Sequence, residues 1–140
     1  MSDPTARRKA EHLRIIEENG VDSLVAPGWD DYRFVHNALP NLDLRQVDLS
    51  TTAFGKKLSA PIIISSMTGG TANARELNLR MATVAQRCGI AMGVGSQRIA
   101  LEDRDAIENF RVRSVAPDIL LFANLGAVQL NYGVTAADCA

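Results

Sequence analysis

The sequence predicts an α/β protein built on a parallel sheet, and three features predict it. Three short apolar runs, residues 62–64, 90–94 and 119–123, have the length and composition of buried strands. Between them lie stretches with helical apolar spacing, giving the order strand–helix–strand–helix–strand, with a further helix beginning near the last residues. Each apolar run ends in small polar residues: Ser66-Met67-Thr68-Gly69, Gly95-Ser96-Gln97-Arg98 and Asn124-Leu125-Gly126.

Composition sets the outer limits. The chain has 140 residues, 46% hydrophobic and 22% charged, as expected of a soluble globular domain. A net charge of −1 gives no overall field for nucleic acid or an anionic membrane, so any anion site must be local. The charged N-terminus lacks the apolar core of a signal peptide, and no apolar run reaches the ~20 residues of a membrane span. A cytoplasmic location is expected. Cys88 and Cys139 have no CxxC partner and no metal-like spacing with His12 and His36, and read as small core-type residues in a reducing compartment.

In chain order, Asp3-Pro4 is a helix start and Asn19-Gly20 a stop, with Ala10, Leu13 and Ile15 or Ile16 as the apolar face. Arg7, Arg8 and Lys9 sit in the first turns, where the helix dipole disfavours cations. They read either as a solvated charge run or as cations facing an anion bound elsewhere in the fold. Residues 20–41 contain Pro27, Pro40, Gly28 and Asp30-Asp31 and are expected to be irregular, with a short extended piece near residues 32–36. His36 reads as a loop residue. Phe54-Gly55-Lys56-Lys57 carries a hairpin turn with glycine at its tip.

The run Pro-Ile-Ile-Ile at 61–64 fits a strand buried on both faces, with proline where no ladder donor is needed. Residues 65–70 then offer hydroxyls and two glycines, which suit either a plain strand-to-helix turn or a backbone approaching a flat or anionic ligand. The next helix shows Ala74, Leu77, Met81, Val84, Ala85 and Cys88 as its core face, closed by Gly89. A second helix is expected over residues 102–114, capped by Asp103, with Ala106, Ile107 and Phe110 inward. Thr135 reads as a further cap.

Several chemistries are excluded by motif. Gly93-Val94-Gly95 opens a dinucleotide fingerprint, but Arg98 occupies the third glycine position. There is no phosphate loop, no nucleophile elbow and no zinc spacing. What remains is a set of hydroxyl, amide and backbone donors at strand ends, with cations at Arg8, Lys9 and Arg98. These suit a planar cofactor and a phosphorylated ligand, since a guanidinium grips phosphate in bidentate fashion. Arg98 fits equally a surface ion pair with Glu102, Asp103 or Asp105.

Four segments together resemble the type 2, FMN-dependent isopentenyl diphosphate isomerases. They are Arg7-Arg8-Lys9-Ala10-Glu11-His12-Leu13, Ser65-Ser66-Met67-Thr68-Gly69-Gly70, Gly93-Val94-Gly95-Ser96-Gln97-Arg98 and Asn124-Leu125-Gly126-Ala127. They run in the family's order across nearly the whole chain. The resemblance implies that residues 1–140 are the N-terminal part of a (β/α)8 TIM barrel: about three β/α units preceded by an N-terminal helix and a hairpin. It implies flavin contacts from Ser66, Met67, Thr68, Ser96 and Asn124. It implies diphosphate contacts from Arg8, Lys9, Ser96, Gln97 and Arg98. FMN, NADPH as its reductant, Mg²⁺ held with the diphosphate, and a homo-oligomer come with the family. So does the interconversion of isopentenyl and dimethylallyl diphosphate. The family's glutamine near the alkene and its magnesium-binding glutamate are expected beyond Ala140, so no catalytic or metal residue is assigned here, and the chain alone is expected to be poorly stable and nearly inactive. Another FMN barrel oxidoreductase, or a non-catalytic anion-binding half-barrel, are the alternatives.

Overall fold

The computed structural model describes residues 4–19, 22–67, 69, 72–135 and 137–139, apart from the side chains of residues 4–6, 8–10, 13, 72 and 139. It contains a two-stranded hairpin and a three-stranded parallel sheet joined by helical crossovers. The elements are helix α1 (Pro4–Asn19), strands β1 (Thr51–Ala53) and β2 (Lys56–Leu58), strand β3 (Ile63–Ile64), helix α2 (Ala72–Cys88), strand β4 (Ala91–Gly93), the short helix α3 (Arg98–Glu102) and strand β5 (Leu121–Phe122). A 3₁₀ helix, Arg104–Phe110, follows α3, and two more, Ala127–Tyr132 and Ala137–Cys139, follow β5.

Helix α1 begins at Pro4 as the sequence predicts, with Asp3 and Gly20 outside the described residues. Its Ile15 and Ile16 are exposed, so the expected apolar face is not packed at these positions. The segment that follows is irregular, and residues 32–36 pair with no strand.

The hairpin forms at the predicted place. β1 and β2 pair antiparallel, with Ala53 opposite Lys56, around the two-residue loop Phe54-Gly55. Both loop residues have positive φ, 48° and 73°, which is the type I′ geometry that matches strand twist. The Phe54 ring meets Phe122 of β5 edge-on at 5.6 Å, so the hairpin lies against the parallel sheet.

The parallel sheet has the order β3-β4-β5. Ile64 pairs with Met92, and Met92 with Leu121. These three share one face, because side chains alternate along a strand. Met92 is wholly buried there in a cluster with Ala82, Ala85, Phe110, Val112 and Ile119, and Ile64 and Leu121 pack against it. The other face carries Ile63, Ala91 and Leu120 and borders Ala53 and Leu58 of the hairpin across an apolar groove of about 240 Å³.

Burial on both faces holds for β4, not for the triple isoleucine. Ile62 and Ile63 are 54% and 51% exposed. The reason is topological. β4 has a neighbour on each side, whereas β3 is the edge strand and its Ile63 faces the open groove.

Helix α2 buries part of the predicted stripe: Ala74 and Ala85 are buried and Met81 packs against the core, joined by Asn78 and Ala82. Leu77, Val84 and Cys88 are exposed. Small side chains let the helix approach the sheet closely, and the Asn78 amide donates to the Asn109 carbonyl at 3.1 Å. Cys88 is therefore not a core residue.

The helix ends in a Schellman motif: Gly89 at φ +63°, its N–H donating to Gln86 O at 3.3 Å, and Ile90 N–H to Ala85 O at 3.0 Å. A Cβ at Gly89 would also overlap the Ser59 hydroxyl, so glycine is required twice over.

Beyond β4 the predicted helix over 102–114 is replaced by α3 and the 3₁₀ helix Arg104–Phe110. Asp103 does cap, accepting from Asp105 N–H at 3.0 Å, but it caps the 3₁₀ segment. Ala106 and Phe110 point inward and Ile107 does not. Side chains fix the return to β5. Gln86 and Asp118 exchange two hydrogen bonds of 3.1 Å, and the Arg113 guanidinium donates to the carbonyls of Ala116, Pro117 and Ile119.

Met92→Ala is expected to lower stability by about 2–5 kcal/mol in urea unfolding, the range for emptying a packed core site. Val84→Ala, on the exposed side of α2, is expected to stay within about 0.5 kcal/mol. Equal losses would contradict this placement of the core.

Thr135 caps the last 3₁₀ turn as predicted, through reciprocal bonds with Asp138. The Thr135 hydroxyl, with help from its N–H, holds the Asp138 carboxyl below the ordinary aspartate range. A depressed pKa stabilises the folded turn above the ordinary value and loses that contribution as pH falls through the lowered one. A carbon-detected NMR titration is expected to find Asp138 low in the native chain and moved back towards normal in Thr135→Val. An unmoved value would contradict the cap.

Candidate functional site

Parallel pairing sends all three strands out of the sheet at one edge, the position that carries ligand sites in open α/β sheets and barrels. Residues 65–67, 94–97 and 123–126 form this rim. A link of 2.8 Å from Gln97 N–H to Asn124 O ties the second strand end to the third, and Val94 N–H donates to Phe122 O at 3.0 Å just before it. The first and second ends meet at Ser66 and Gly93. A Cβ on Gly93 would overlap the Ser66 hydroxyl, so that glycine opens the space in which Ser66 lies across β4. Gly69 is buried against the Phe110 ring, where a Cβ would again overlap.

The structure therefore brings Ser66, Ser96, Gln97, Arg98 and Asn124 to one edge, all of them partly buried. Met67 stands beside them, 70% exposed. Thr68 lies outside the described residues. Arg8 and Lys9 fall in the early turns of α1 as predicted, but their side chains are outside the description. Among the described residues, the polar contacts of α1 run within the helix, from Arg14 to Glu11 and Glu18 and from Asn19 to Ile15. Nothing in them joins α1 to the rim.

Arg98 opens α3. Its backbone N–H approaches Ser96 Oγ at 3.4 Å, and its Nε donates to Glu102 Oε1 at 2.9 Å. The ion-pair alternative for Arg98 is thus realised with Glu102, four residues on. Gly93 escaped the sequence reading as the residue that makes room for Ser66. The sequence signal for this is the Gly93-Val94-Gly95 pair, where a close backbone approach is expected of glycine.

The rim is chemically divided. Ser66, Ser96, Gln97 and Asn124 offer neutral hydroxyl and amide groups, and Arg98 offers a fixed positive charge. Among the described residues, Glu11 is held below its usual range by Arg14, Asp43 by Arg45, Asp48 by Ser50 and Asp138 by Thr135, all away from the rim. The described residues include no group of three His, Cys, Asp or Glu able to hold a metal ion. Such a set is suited to holding and orienting a ligand rather than to moving protons. A neutral donor set beside small residues fits the polar edge of a planar heterocycle, and the guanidinium fits a phosphate. A larger cleft of about 430 Å³, lined by Leu101, Arg104, Ile107 and Tyr132 among others, lies between the 3₁₀ helix after α3 and the segment after β5 and includes none of the rim residues.

The chain is similar to known proteins over most of its length. An isopentenyl-diphosphate delta-isomerase of Rickettsia canadensis is 53% identical over 137 residues, covering 98% of this chain and 40% of that protein. One of Rickettsia prowazekii is 54% identical over 132 residues, covering 94% and 39%. The chain thus spans about 40% of the length of these curated relatives. Residues 25–112 match the family model described as FMN-dependent dehydrogenase, more than half of the chain and most of the sheet with its first crossover. By that match the chain belongs to the FMN-dependent dehydrogenase family.

Proposed function

We propose that this chain is the N-terminal part of an FMN-dependent isopentenyl-diphosphate delta-isomerase, interconverting isopentenyl and dimethylallyl diphosphate. The observation that carries the proposal is 53% identity across 98% of the chain to a protein of that name. The parallel order β3-β4-β5, each strand beside its successor, supports residues 1–140 as the opening units of a TIM barrel.

In this reading Ser66, Met67, Thr68, Ser96 and Asn124 contact FMN, the neutral donors meeting the polar edge of the ring. Arg8, Lys9, Ser96, Gln97 and Arg98 hold the diphosphate, with Mg²⁺ bound alongside it and NADPH keeping the flavin reduced. Reduced FMN, when bound, supplies acid–base chemistry at the alkene. The chain's own part is positional. Arg98 anchors the charged end of the substrate, and the apolar body is thereby held over the rim in one orientation. Met67, exposed at that edge, offers an apolar surface that keeps water from the carbon skeleton. The reading carries with it a cytoplasmic homo-oligomer. None of the described helices is long and apolar enough to cross a membrane.

Arg98→Ala is expected to weaken binding of inorganic pyrophosphate about tenfold or more, since a charge-assisted hydrogen bond contributes about 1.5–3 kcal/mol. FMN affinity is expected to stay within about twofold. Calorimetry with pyrophosphate and flavin fluorescence with FMN measure the two. Equal loss of both, or pyrophosphate binding indifferent to Arg98, would contradict the assignment. Preference for a 2-hydroxy acid over pyrophosphate would favour a dehydrogenase of the same family.

A further inference from the structure

Resting on the reading of Arg98 as a diphosphate ligand, we propose that Glu102 is a positioning residue that holds the Arg98 guanidinium ready at the rim. Arg98 is held at both its ends. At the backbone end, the preceding residue is fixed to the third strand by the bond from Gln97 N–H to Asn124 O. At the head, Nε donates to Glu102 Oε1 at 2.9 Å. Arg98 and Glu102 are the first and last residues of α3, so one helical turn spans the pair.

A purely stabilising role accounts poorly for this pair. Arginine preceding glutamate is the weaker order for an i,i+4 helix pair, and exposed pairs contribute little to folding in general. The burial of Arg98 also stands apart. Its side chain is 37% exposed, against 54–89% for the other ion-paired arginines among the described residues. A partly buried pair is less screened by salt than an open one. Arg98 is thus the least exposed of the ion-paired arginines among the described residues, while Glu102, at 49%, is as exposed as Glu11.

The consequence is preorganisation. A mobile arginine loses rotamer freedom when it closes on a phosphate, and an arginine already held loses less. Glu102 takes one of the five guanidinium donors to do this. It also brings a negative charge near the anion, which works the other way. The proposal is that positioning outweighs repulsion, and the sign is measurable.

The test is a double-mutant cycle on the full chain, read by pyrophosphate affinity and by the thermal midpoint. In the Arg98 background, Glu102→Gln is expected to weaken pyrophosphate about three- to tenfold with little change in midpoint. In the Arg98→Ala background the same substitution is expected to change affinity less than twofold. Unchanged or tighter binding by Glu102→Gln, with Arg98→Ala still weakened, would overturn the role of Glu102 and leave the diphosphate reading standing. The same loss in both backgrounds would mark Glu102 as merely structural and also overturn it. An Arg98→Ala variant that binds as well as the unaltered chain, or an unaltered chain that binds no pyrophosphate, would overturn both. Should Glu102→Gln fail to fold, Glu102→Asp, with its shorter reach, carries the same cycle.

Discussion

The structure depends on the central position of β4. Ala91, Met92 and Gly93 are all buried, with a parallel partner on either side. Parallel pairing cannot be made by a tight turn, so each neighbour requires a crossover long enough to return the chain to the same end. Helix α2 makes the first crossover, and α3 with the 3₁₀ helix Arg104–Phe110 makes the second. Their apolar sides meet on one face of the sheet around Met92. The strand ends then emerge together at one edge, and the site is a consequence of that arrangement rather than a separate feature.

Polar contacts keep the crossovers in register where apolar packing would allow them to slide. The Schellman motif at Gly89 stops α2, and Ser59 N–H donates to Gly89 O at 2.8 Å, fastening that turn to the segment after the hairpin. The paired amide and carboxylate of Gln86 and Asp118 and the three carbonyl bonds of Arg113 set where β5 begins. The same economy operates at the rim. Glycine at 93 makes room for the Ser66 hydroxyl, and a single backbone bond joins the second strand end to the third. Among the described residues, neutral donors and the ion-paired Arg98 share that edge.

Much of this was legible in the residues. Phe54-Gly55 carried its turn type in the glycine, and the alternation of apolar runs with helical spacing carried the parallel order. The polar strand ends mark the rim in the sequence. What the residues did not disclose was set by neighbours. Ile62 and Ile63 look like a buried strand because isoleucine is apolar, yet a strand's burial depends on its place in the sheet, and β3 is at the edge. Of the predicted α2 face, Ala74 and Ala85 are buried, but Leu77 and Val84 give way to Asn78 and Ala82, where small size and the amide bond to Asn109 count for more than hydrophobicity. The helix after β4 is cut short at Asp103, whose N–H ends α3 on Ile99 O and whose carboxylate opens the 3₁₀ segment by accepting from Asp105 N–H. Glu102 was visible as a candidate partner of Arg98, and spacing alone did not separate it from Asp103 or Asp105.

The central claim is that three successive strand ends form one binding edge. Titration of the isotopically labelled chain with FMN, followed by amide chemical shifts, tests it most directly. The account predicts that the largest shifts fall together on Ser66, Met67, Ser96 and Asn124, with the hairpin and the groove around Ile63 and Leu120 little changed. Shifts centred on the hairpin and that groove, or scattered over the surface, would contradict it.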